Sequence, residues 1–133
     1  MMDKVKIGEI VRAHYRSGTY IGKVIEDRGD RFLIEVLAVY KHPLQGDLHN
    51  MNATKNVFFH ERKALAFHEK MNVKKPAVHP YDGEIPEYKD SLKQALEIYK
   101  NKLEENDSEY NQLALKTLHR LEEEVYSKII KGS

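Results

Sequence analysis

Two hydrophobic rhythms divide the chain near Pro86. Before it, apolar positions alternate in short runs: Ile10 to Tyr15, Thr19 to Glu26 and Arg31 to Tyr40, each rich in β-branched and aromatic residues, predict three β-strands. In the third run Phe32, Ile34, Val36 and Ala38 alternate with Leu33, Glu35, Leu37 and Val39, so the pattern predicts a central strand covered on both faces. Arg16-Ser17-Gly18 and Asp27-Arg28-Gly29-Asp30 separate these runs and predict hairpin loops of three to four residues, with glycine supplying a positive φ. Two further runs, Lys55 to His60 and Lys63 to His68, bring the expected strands to five. That number in about sixty residues suits a small closed SH3-like barrel.

After Pro86 the period lengthens to a helical turn. Tyr88, Leu92, Ala95, Leu96, Tyr99 and Leu103 form one stripe, and Tyr110, Leu113, Ala114, Leu118, Leu121, Val125 and Ile129 form a second. Asn106 is placed to cap the second helix, with Glu109 at the capping-box position. The short connection predicts an antiparallel helical hairpin. The expected fold is therefore α+β: an SH3-like antiparallel β-barrel over 1–70, a linker over 71–86 and a helical hairpin over 87–131. Three of the chain's four prolines fall in 71–86, which reads as a semi-rigid spacer unable to extend a sheet. Lys41 to Thr54, with Pro43, Gly46, Asp47 and two asparagines, reads as a long surface loop and a candidate contact region.

Composition narrows the picture. The 133 residues suffice for one ordinary domain with an appended element, and 41% hydrophobic with 32% charged residues describes a folded, well-solvated chain. Residues 1–80 carry 14 Lys/Arg against 9 Asp/Glu, and the remainder 8 against 12, so the two parts bear opposite net charge and could attract each other. With no cysteine, disulfides, thiolate metal sites and a cysteine nucleophile are excluded. No apolar run matches a signal peptide or a membrane span, so the expectation is a cytoplasmic protein.

Reactive motifs are sparse. His60-Glu61 and His68-Glu69 resemble the opening of H-E-x-x-H, but Ala64 and Asn72 stand where the second histidine would be needed, so no metal ligand set is read here. No G-x-S-x-G, glycine-rich phosphate cradle or recognisably spaced carboxylate pair is present, and neither an enzymatic activity nor a cofactor is expected. The competing reading is a small-barrel nucleic-acid-binding module. Arg12, Arg16, Lys23, Arg28, Arg31 and Lys41 stand among Tyr15, Tyr20, Tyr40, Phe58 and Phe59, residues able to meet phosphates and stack on bases.

The strings from Gly8 to Asn52, then FFHERKALAFHEK and PYDGEIPEYKDSLKQALEIYKNKL, together resemble the kinase-associated protein B family of spore-forming bacteria. Ala38-Val39-Tyr40-Lys41-His42-Pro43 and Pro80-Tyr81-Asp82-Gly83 are the most distinctive parts. The resemblance implies a barrel with a helical hairpin, and an accessory factor for a sensor histidine kinase feeding the phosphorelay that controls entry into sporulation. It supplies no catalytic residues. It implies a protein partner, the kinase or an associated regulator, with the membrane reached only through that partner, and it leaves a homodimer open. The family is sometimes described as a lipoprotein, and the lack of cysteine sets this chain apart from that description. Within the loop His42, Leu44, Leu48, His49 and Met51 are the candidate partner-binding residues. Serine at Leu44 and Leu48 is expected to weaken capture and spare thermal stability.

Overall fold

The computed structural model describes residues 5–46 and 59–130. β1 (Ile10–Tyr15), β2 (Gly18–Asp27) and β3 (Arg31–Lys41) form an antiparallel meander where the alternating pattern placed them. β4 (Lys70–Lys74) joins β3, a 3-10 turn follows at Lys75–Ala77, and β5 (Val78–Pro80) pairs with the far side of β1. The sheet order is β4-β3-β2-β1-β5. It coils enough to bring β4 near β1, yet no ladder joins β4 to β5, so the expected closed barrel is corrected to an open sheet.

Two further expectations fail for identifiable reasons. The segment 71–86 is not simply a linker, because it holds most of β4 and all of β5. Pro76 sits in the 3-10 turn and Pro80 ends an edge strand, positions where a missing N–H breaks no ladder. Conversely, 63–68 is not a strand, while Lys55 to Phe58 lie outside the described residues. The backbone of 62–65 finds side-chain partners instead: Arg62 N–H donates to Gln45 Oε1 at 3.0 Å, Ala64 N–H to the Tyr126 hydroxyl at 2.8 Å and Leu65 N–H to the Tyr20 hydroxyl at 3.3 Å.

The first turn also differs in mechanism. Tyr15 pairs directly with Gly18, leaving Arg16 and Ser17 as a two-residue turn with φ of +48° and +67°. Gly18 serves close packing: a Cβ there would lie 2.8 Å from the Tyr20 hydroxyl and 3.1 Å from Pro43 Cγ. The second turn keeps its glycine at positive φ, with Gly29 at +85°.

α1 (Tyr88–Glu104) lies against β3 and buries Tyr88, Leu92, Ala95, Leu96 and Leu103, nearly the stripe its sequence predicted. Leu92 and Leu96 are fully enclosed, each stabilising the fold by roughly 2 kcal/mol through removal from water. Ser91 ties the two layers together: its hydroxyl accepts the Val39 N–H at 2.9 Å and donates to Tyr88 O at 2.7 Å. α2 (Glu109–Leu121) is capped by Ser108, whose Oγ accepts the Asn111 N–H at 3.0 Å, so Ser108 and not Asn106 holds the cap. A π-helical turn at Glu122–Tyr126 leads into α3 (Ser127–Ile130).

Candidate docking groove

β3 delivers Tyr40, Lys41 and His42 to the edge of α1, and the chain then turns back across the α1–α2 end of the molecule. An apolar groove of about 340 Å3 opens there, walled by Tyr40, Lys41 and Leu44 on one side and by Ile98, Tyr99, Lys102 and Tyr110 on the other. Ile98 is 60% exposed and Tyr40 48%, unusual for residues of this size and polarity. A second apolar groove of about 540 Å3 flanks the other end of α1, between Leu37, Phe67, Ile85, Tyr88 and Ile129. Together the two grooves hold four of the five large hydrophobic residues exposed among those described, Ile7 being the fifth.

The walls of the first groove are fixed from beneath by a buried polar cluster. The Tyr99 hydroxyl accepts Gln45 N–H at 2.9 Å, and the Tyr110 hydroxyl donates to Gln45 O at 2.5 Å. Gln45 itself is fully buried; its Nε2 donates to Pro43 O at 3.1 Å and Arg62 O at 2.8 Å. Arg62 closes the loop from outside, donating to Leu44 O at 3.0 Å and Gly46 O at 2.6 Å. No buried side-chain nitrogen or oxygen described in this turn is left without a partner, the condition for a rigid buried network.

His42 forms the floor. Its Nδ1 faces Pro43 O at 2.8 Å, which can only accept, so Nδ1 carries the proton; Nε2, 2.8 Å from the Tyr126 hydroxyl, is then the acceptor of that hydroxyl's proton. The Tyr126 oxygen in turn accepts Ala64 N–H. Only the neutral ring fits this relay. Burial pushes its pKa down to about 4, against weaker opposing effects of the Pro43 carbonyl and Glu122. Burial likewise holds the Tyr20 and Tyr99 hydroxyls protonated, with pKa values raised to about 12.

These positions revise the candidate residues. Leu44 lines the groove, as a docking residue should, but its backbone is bound at both ends, by Ser17 Oγ and by Arg62. His42 is 3% exposed and reaches the groove only as its floor, with both ring nitrogens engaged inside the protein. Leu48, His49 and Met51 lie outside the described residues. Of the described part of the expected surface loop, residues 41–46, Lys41 is exposed and ends β3, while 42–46 are largely buried because their polar groups find partners inside the protein. Ile98 was overlooked because it stands off the predicted α1 stripe; an isoleucine on the nominally polar face was the available signal.

Fold and groove together define a small α+β protein in which an open antiparallel sheet is covered by helices and an apolar recess is framed in lysine. A family model, kinase associated protein B, matches residues 15–126, and the chain belongs to that family. It is 42% identical over 127 residues to the kinase-associated lipoprotein B of Bacillus subtilis (strain 168), covering 96% of this chain and 99% of that protein. It is also similar to the crystal structure of kinase-associated protein B from Bacillus cereus, with a TM-score of 0.77 at 40% identity, covering 90% of this chain and 96% of the other. The expectation of a cytoplasmic protein is corrected by these findings: a relative this similar over nearly its full length bears the name lipoprotein, so missing cysteine and missing apolar runs do not decide location. No helix among the described residues is long and apolar enough to cross a membrane.

Proposed function

We propose that this chain is a non-enzymatic regulatory adaptor that docks onto a sensor histidine kinase, or a regulator bound to it, in the phosphorelay governing entry into sporulation. The observation that carries the reading is the groove beside α1, where Ile98 and Tyr40 stand exposed on walls held rigid by the Gln45 and His42 cluster. Preformed walls lower the ordering cost of binding. Lys41 and Lys102 frame the groove without an acidic partner among the described residues, which favours an amphipathic helix with acidic residues flanking its apolar stripe. Membership of a family named for kinase association supports a kinase as the source of that helix. The strand order and the 3-10 turn between β4 and β5 support an SH3-like ancestry for the sheet, with the helices as a hairpin added to it.

The test is capture of purified sensor-kinase catalytic regions by the wild-type chain and by Ile98→Glu. Ile98 is exposed, so the substitution should leave the melting temperature within a degree or two while weakening capture at least tenfold. Phe67→Glu, in the second groove, serves as the matched control. Capture that survives Ile98→Glu and is lost with Phe67→Glu would move the docking surface to the other end of α1. Capture untouched by either would defeat the reading.

A further inference from the structure

The outward face of the sheet at the β1–β5 edge gathers basic side chains with no acidic partner among the described residues. Register places Arg12 of β1 directly opposite His79 of β5, while His14 lies opposite Thr19 of β2, which is itself opposite Lys41 of β3. The His14 and His79 rings meet edge to face with centroids 5.6 Å apart, and the Arg12 guanidinium lies 5.2 Å from the centroid of the Tyr40 ring. His14 Nδ1 is occupied by Thr19 Oγ1 at 3.0 Å, which leaves its Nε2 directed elsewhere. Burial chiefly, and after it the neighbouring His79, Arg12 and Lys41, depress the His14 pKa, so its ring is held neutral.

Arg12 is the anomaly. Its Nε is buried and has no hydrogen-bond partner, alone in this respect among the buried side-chain nitrogens and oxygens of the described residues. No acidic side chain among the described residues pairs with Arg12, Lys41 or His79, although the rest of the sheet is well supplied: Glu35 meets His68, Glu26 meets Arg28 and Asp27 meets Lys75. A buried guanidinium nitrogen without a protein partner calls for a water, an ion or a ligand to complete it.

We propose that Arg12, His14 and His79 form a binding site for a phosphate monoester. One arginine fork and two imidazoles carried on the same face of neighbouring strands supply enough donors for the three terminal oxygens of a phosphate, more than the two of a carboxylate require. Arg12, His14 and His79 sit within two adjacent strands, a span that suits a single terminal phosphate and not a phosphodiester backbone tracked across the sheet. The site borders the docking groove along Tyr40 and Lys41, but its ligand is a small ion and its test does not depend on kinase capture.

The experiment follows the histidine ring signals by NMR at pH 7 while inorganic phosphate is added, with chloride at matched ionic strength as reference. The expected result is a saturable shift of the His14 and His79 signals with phosphate alone. Arg12→Gln and His79→Gln should each weaken it at least tenfold, with unchanged amide spectra proving the fold. Since Arg12 is partly buried, Arg12→Lys provides a second variant that keeps stem and charge and loses the fork; it should weaken binding several-fold. Phenyl phosphate, oligo-uridylate and phosphatidylglycerol vesicles then compete for the site, and phenyl phosphate should displace phosphate most effectively. Equal shifts with chloride, or a phosphate response that survives both glutamine variants, would overturn the site. Displacement by RNA or vesicles but not by phenyl phosphate would overturn its assignment to a monoester.

Discussion

Tyrosine hydroxyls hold this protein together where backbone ladders do not. Tyr20, Tyr88 and Tyr126 each reach the 64–65 backbone, and Tyr99 and Tyr110 reach Gln45. The sequence made Tyr88, Tyr99 and Tyr110 legible as members of apolar stripes, but periodicity reports only which side of a helix a residue occupies. It is silent on where a hydroxyl ends. His42 shows the same limit, since a histidine beside a proline in a polar segment looks exposed until its two nitrogens are seen facing a carbonyl and a phenol. Its titration gives a measurable signature. The unfolded ring gains a proton below its ordinary pKa of 6.5 and the folded ring only below about 4, so the unfolded state binds more protons between them and stability falls as pH is lowered through that window. From pH 7.5 to 5 the loss from this residue is about 2 kcal/mol. His42→Gln, which can still donate to Pro43 O and accept from Tyr126, should remove that part of the pH dependence. Urea unfolding of both proteins at the two pH values measures it, and parallel losses would show that His42 is not the group responsible.

Elements were legible in proportion to how strictly they keep their period. β1, β2, β3 and α1 keep theirs, and the structure places them within a residue or two of the sequence reading. β4 and β5 were hidden by nearby prolines, whose cost to a strand vanishes at an edge. The end of the helical region was misread for a different reason: the π-helical turn adds a residue to the repeat, so Tyr126 and not Val125 becomes the buried member after Leu121. Gly22 fell inside the predicted strand with no reason attached to it; the structure supplies one, because β3 passes so close that a Cβ there would stand 2.5 Å from Ile34 Cγ2 and 2.6 Å from Glu35 O. A backbone oxygen held in the ladder cannot retreat. Gly22→Ala should therefore cost about 2 kcal/mol, lowering the melting temperature by roughly 5–10 °C in a thermal scan. A change under one degree would mean that the two strands separate readily.

At the scale of the molecule, opposite net charges in the two parts suggested units that attract each other, but the contacts between them are chiefly hydrophobic and hydrogen-bonded. α1 covers β3, Ser91 binds Val39, and Tyr126 reaches both His42 and Ala64. Sheet and helices should consequently unfold as one. Far-UV circular dichroism, dominated by helix, and the near-UV tyrosine signal should give coincident midpoints in urea; separated midpoints would mean that the helices and the sheet are independently stable. The candidate site was half visible in the sequence. The approach of Tyr40, Lys41 and Leu44 could be read from their place at the end of a strand, while their meeting with Ile98 depends on how α1 lies across β3, which no local pattern encodes.

The two margins of the sheet have a consequence for self-association. β5 offers three residues and ends on Pro80, which has no N–H to give, while β4 sets Lys70 and Lys74 at either end of its five. A neighbouring copy seeking to add its own strand would meet a truncated template on one flank and like charge on the other. Fibre growth by strand addition is thereby discouraged, and any pairing of two copies is left to side chains.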